Sequence, residues 1–179
     1  MKKLTLALSL LLTGILALAI TPRAQETTVT TGGTVVLGTF DSRGVALAFY
    51  RSAAFMDTMM GLQEELAEAK ADGNAEKVSD LEQRGPALQE EAHRRTFGSA
   101  SVRELLDPHK EEVARIAESM GVDVVVSHWD QAYRGPKAQS IDLTLELVHL
   151  FDPGEKTLQV LDELLETEPV AASDLKHDH

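Results

Sequence analysis

Apolar and polar positions follow several distinct rhythms along this chain, and each rhythm predicts an element. Met1-Lys2-Lys3 leads into Leu4 to Ile20, an uncharged run made mostly of Leu, Ala and Ile. Beyond it, residues 25–33 are polar and end in two glycines, which predicts a linker. Val35-Val36-Leu37 to Phe40 is apolar and partly β-branched, the composition of a strand. Asp41 and Ser42 offer N-cap oxygens to a helix beginning near Arg43.

The period then becomes helical. Val45, Phe49, Ser52, Met56, Met59, Gln63 and Leu66 step by alternating fours and threes, a heptad seam with two polar interruptions. Ala71-Asp72-Gly73-Asn74 breaks it with a tight turn. Val78, Leu81, Gly85, Leu88 and Ala92 form a second seam, in which Gly85-Pro86 predicts a kink. Two such stripes joined by a short turn predict an antiparallel helical hairpin over about residues 43–97. Each arm is about 25 residues, or roughly 40 Å long.

Shorter elements follow. Ser101-x-x-Glu104 has the form of a capping box, and Asp107-Pro108 opens an amphipathic segment from His109 to Met120. Gly121 suits a helix end. Val122 to Ser127 is a second strand, whose three consecutive valines predict burial on both faces. Residues 128–139 read as a loop or a short third strand. Asp142 caps a helix from Leu143 to Phe151, and Asp152-Pro153-Gly154-Glu155 opens a last helix to Glu166. The predicted fold class is α+β, mainly helical, with a small β-sheet body and a projecting antiparallel helical hairpin. The domain spans residues 34–168, and residues 169–179 are a polar tail expected to be disordered.

The N-terminal pattern sets the expected compartment. A positive start, an apolar run, then small residues at Ala17-Leu18-Ala19 and Ala24 are the three parts of a signal peptide over residues 1–24. The competing reading is an uncleaved anchor, but about 17 apolar residues lie at the lower limit for a span. The chain has no cysteine, so neither a lipobox nor a disulfide framework is available. The expected location is the periplasm, with no stable membrane insertion after cleavage.

Charge narrows the partners. The net formal charge is −12, and residues 101–179 hold 17 acidic against 7 basic side chains. Such a surface repels phosphate backbones, which argues against nucleic acid.

The residues offer little chemistry for catalysis. His93, His109, His128, His149, His177 and His179 have no ligand spacing, so no metal and no cofactor are expected. His128-Trp129-Asp130 suggests an acid–base pair in a cleft; the alternative has Trp129 covering the edge of the core. Asp41-Ser42-Arg43 suggests a nucleophile, but no base accompanies it and capping accounts for it. The chain is not expected to be an enzyme. Its most distinctive surface is Met-rich: Phe55, Met56, Met59 and Met60. Flexible thioethers adapt to varied apolar partners. Met56 and Met59 lie on the seam and are expected to pack; Phe55 and Met60 fall beside it, where a client would meet them.

Three stretches carry a family resemblance: Val35 to Arg43, Val113 to Val126 with its helix, turn and valine strand, and Ile141-Asp142-Leu143-Thr144 before an apolar helix. Together they resemble the Skp/OmpH-like family of periplasmic chaperones over roughly residues 34–151. The resemblance implies a homo-oligomer, a trimer, whose β-body assembles the subunits while helical hairpins enclose unfolded outer-membrane clients. This chain differs from well-known members in its shorter arms, its acidic balance and an extra helix after Phe151. The expected function is a chaperone-like protein that binds unfolded or envelope proteins. The alternative is a structural assembly module of the cell envelope.

Overall fold

A computed structural model describes residues 34–171 and 174–176. The expected signal peptide and the linker over 25–33 lie outside the described residues. All the described elements belong to one unit.

Three short strands form the sheet: β1 (Leu37–Phe40), β2 (Val124–Ser127) and β3 (Ser140–Asp142). Their spatial order is β2-β1-β3, and both pairings are parallel. Leu37 stands opposite Val124 on one side and Ser140 on the other. Ladder bonds continue past the strand ends, where Leu37 N donates to Gln139 O and Leu143 N to Thr39 O. Gly38 is needed for close approach: a Cβ there would lie 2.6 Å from Leu143 Cδ1 and 2.8 Å from Val122 Cγ1.

Helices fill the long crossover from β1 to β2. These are α1 (Ser42–Tyr50), α2 (Ala53–Ala71), α3 (Ala75–Thr96), α4 (Arg103–Leu106) and α5 (Lys110–Ser119). After β3 come α6 (Thr144–Val148) and α7 (Glu155–Leu165). The core is centred on α1, which touches α2, α3, α6 and α7. Val45, Ala46, Leu47 and Ala48 are buried there with Phe40, Val102, Leu143, Leu147, Val148 and Leu161. Burying a Val or Leu side chain is worth about 1.5–3 kcal/mol, so this cluster holds the fold together.

The expected fold class is therefore corrected. In place of a small sheet body with a projecting antiparallel hairpin over 43–97, the chain builds a wholly parallel three-stranded sheet surrounded by helices. The segment assigned to the first arm is not one helix. Its opening, α1, is the most buried helix of the core, and α3 packs back against it. The cause is local. At Arg51 the chain leaves the helix; Ser52 N bonds to Phe49 O, and Ser52 Oγ caps α2 by accepting from Phe55 N at 3.2 Å. A heptad counted across that break joins core positions to positions on a different helix.

The valine strand is also corrected. β2 lies at an edge of the sheet, so Val124 is 44% exposed and Val125 and Val126 are only half-buried. Two predicted helix-end features do form: Asp41 Oδ1 accepts from Arg43 N at 2.9 Å, and Gly121 takes the left-handed turn after α5 at φ +67°. Asn74, expected only as part of a turn, also caps α3, its Oδ1 accepting from Lys77 N at 3.1 Å. Two other predicted caps do not form. Glu104 pairs with Arg95 rather than closing a capping box, and Asp152 adopts φ +49° while Gly154 takes the N-cap position of α7. Residues beyond α7 are tied to the body by hydrogen bonds that include Arg43 Nη1 to Thr167 O at 2.7 Å and Val170 N to Phe97 O at 2.8 Å.

Candidate functional site

The Met-rich stretch lies on α2 beside α3. The Asp72–Asn74 turn brings the two helices together, and ion pairs Lys70–Glu82 (2.9 Å) and Lys77–Glu65 (3.8 Å) link them near it. At the other end, Phe55 packs its ring on Tyr50 and Phe49, with centroids 4.9 and 5.4 Å apart. One turn on, Met59 follows the same side. Facing them are Gly85, Pro86, Leu88 and Ala92 of α3. Gly85 and Ala92 are too small to fill the space, which leaves a trough of about 530 Å³ between the helices.

Of the four residues singled out, Phe55 and Met59 line this trough and are half-buried. Met56 and Met60 stand outside it, 53% and 52% exposed, four residues apart on one helix face. The division differs from the seam count, which turned Met56 inward and Phe55 outward. The Ser52 cap restarts the helix and resets its phase. Tyr50, which lines one end of the trough, is met from behind by Arg95. Its guanidinium pairs with Glu91 and Glu104, each at 2.8 Å, and reaches the Tyr50 hydroxyl at 3.5 Å. Burial pushes the Tyr50 phenol up against the opposing pull of Arg95. Burial disfavours the Arg95 charge, but bonds to Glu104 and Tyr50 outweigh it and the pKa is raised.

A second concavity, about 320 Å³, opens at the carboxyl ends of the strands, where the chain runs from β1 into α1 and from β3 into α6. Crevices at such strand ends are common ligand sites in parallel sheets. Here the polar groups answer one another. Arg43, 1% exposed, places Nη2 2.7 Å and Nε 3.1 Å from the Asp41 carboxylate. Trp129 Nε1 donates to Asp41 Oδ1 at 3.0 Å, and the Arg43 guanidinium carbon lies 5.0 Å from the centre of the Trp129 ring system. Burial pushes the Asp41 carboxyl up, but the bonds from Arg43 and Trp129 prevail and hold it below its ordinary value. Ser42 Oγ is the one buried side-chain polar atom among the described residues with no hydrogen-bond partner.

His128 and Asp130 do not meet. His128 lines this crevice, whereas Asp130 lines a separate cavity of about 540 Å³ with Phe40, Val102, Leu106 and Val125. Trp129 lies over the buried Arg43 guanidinium and bonds to Asp41, a different role from the cover over the core edge that was expected. Sequence reasoning read Asp41 only as a cap and missed Arg43. An Asp-x-Arg pair next to a strand end was the available signal, but nothing local marks the arginine as buried.

Among the described residues, no group of three or more His, Asp or Glu is placed to hold a metal ion. His177 and His179 lie outside them. No helix among the described residues is long and apolar enough to cross a membrane. No family model, no curated protein and no solved structure matches the chain.

Proposed function

We propose that this chain is a non-catalytic, chaperone-like binding protein of the periplasm, a divergent and acidic member of the Skp/OmpH-like family. It holds exposed apolar segments of unfolded envelope proteins. The observation that carries the reading is the α2–α3 trough, floored by Phe55, Met59 and Leu88, with Met56 and Met60 exposed beside it. Unbranched thioethers re-pack around different side chains at little cost, which suits a site that must accept many sequences. The motifs before α1, through α5 and β2, and at Ile141-Asp142-Leu143-Thr144 support the family assignment.

The test is suppression of aggregation. Purified mature protein, mixed near stoichiometrically with an unfolded outer-membrane protein, is expected to keep it in solution, and Met56→Ser/Met60→Ser is expected to weaken this. Unchanged light scattering at every ratio and salt concentration sinks the reading.

An assembly module is the second reading, favoured by the exposed edge strand β2. Such edges offer unpaired backbone groups to another chain. This reading, like the trimer that the family implies, requires a multimer in sedimentation equilibrium; a monomer mass at all concentrations removes it.

A further inference from the structure

We propose that the trough selects client segments whose apolar centre is flanked by lysine or arginine. This inference rests on the binding reading above and adds the chemistry of the client. The floor of the trough is apolar and selects only for hydrophobicity. What surrounds it is not neutral. Helices α2 and α3 carry nine acidic and five basic side chains. Three of the five bases are engaged within the molecule: Lys70 with Glu82, Lys77 with Glu65, and Arg95 with Glu91.

The remaining balance is one-sided. Asp57, Glu64, Glu68, Glu76, Asp80 and Glu90 are exposed and joined by no salt bridge, against only Arg84 and Arg94. Several lie close to the apolar residues along the helices. Asp57 directly follows Met56, Glu64 is one turn beyond Met60, and Glu90 is one turn beyond Pro86. A segment seated in the trough thus places its flanking residues in a negative field. That field reaches about 8 Å at physiological ionic strength, far enough to act on the residues either side of a bound centre. A trough of about 530 Å³ takes only a few side chains, so the apolar contribution alone leaves room for charge to decide between clients. Basic flanks are attracted and acidic flanks repelled, and both effects weaken as salt rises.

The experiment uses the full mature chain and three labelled peptides sharing one Leu- and Phe-containing centre, flanked by Lys, by Ser or by Glu. Binding is read by fluorescence anisotropy at low salt and at about 0.15 M. The Lys-flanked peptide is expected to bind tightest, by roughly tenfold over the Glu-flanked one at low salt, with the gap narrowing as salt is added. The triple variant Glu64→Gln/Glu68→Gln/Glu90→Gln, all exposed positions, is expected to shrink the gap without changing the thermal unfolding of the chain. Equal binding of all three peptides, or preference for the Glu-flanked one, overturns the charge selection and leaves the binding reading standing. Failure of all three to bind overturns both.

Discussion

Two concavities in this protein treat their side chains in opposite ways. At the carboxyl end of the sheet, Arg43 is buried, yet its donors reach the Asp41 carboxylate and Thr167 O while Trp129 lies over its plane. Between α2 and α3, Met56 and Met60 remain exposed beside a trough that the chain leaves open. The first arrangement uses up its own interaction capacity and reads as a clasp that secures the first helix, the strand ends and the segment after α7. The second leaves apolar surface without a partner among the described residues, which is what the proposed binding site requires. Polarity and a concave shape at a strand end are thus weaker indicators of a site than interaction capacity left over.

The largest expected effect breaks the clasp. Asp41→Asn leaves the Arg43 guanidinium buried without its counter-charge, and loss of one partner from a buried pair costs about 3–5 kcal/mol. Urea unfolding is expected to register that loss while peptide binding by the remaining folded protein is unchanged. If Asp41→Asn unfolds like the parent, the clasp is not what secures the fold.

Acid tests the same pair without mutation. The Asp41 carboxyl titrates below its ordinary value of 3.8, so its contribution is complete above that value and is lost as pH falls through the lower native value. The parent is expected to lose stability below about pH 4 more steeply than Asp41→Asn, measured as urea midpoints down the pH scale. Parallel profiles contradict the assignment.

The trough should respond the other way. Met56→Ser/Met60→Ser is expected to shift unfolding by only about 0.5 kcal/mol, since exposed positions tolerate substitution. Its effect on client binding is expected to be roughly tenfold, or about 1.4 kcal/mol. A large stability loss with intact binding would reverse the roles assigned to the two regions.

The smallest effect concerns the exposed pair near the turn. Lys70→Ala is expected to cost about 0.2–1 kcal/mol, and less in high salt, because surface ion pairs are weak and screened. A cost as large as that of Asp41→Asn would mean that the α2–α3 contact, too, depends on charge.

Much of the local structure was legible before any coordinates. The Asp41 cap, the turn at Asp72–Asn74, the Gly121 turn and the helix after Asp142 all follow from short-range backbone geometry and hydrogen bonds. The candidate site was legible in part. The Met-rich segment was found, but the phase was wrong because the seam was counted through Ser52. The clasp was not found. Arg43 has the same local neighbours whether it is buried or solvated, and only the approach of Trp129, 86 residues later in the chain, and of Thr167 distinguishes the two.

By itself, then, the sequence determined several local helix starts and turns, the excess of acid, the absence of cysteine and the presence of an adaptable methionine face, but not the break at Ser52 or the place of the third strand. What it determined depends on composition and on short-range bonds. Only the tertiary structure decided that α1 belongs to the core, that the strands run parallel with β1 between the others, that β2 has an exposed edge, and which methionines face outward. Each of those outcomes depends on contacts between residues far apart in the chain, and nothing in a local pattern specifies which distant partner a buried face will meet.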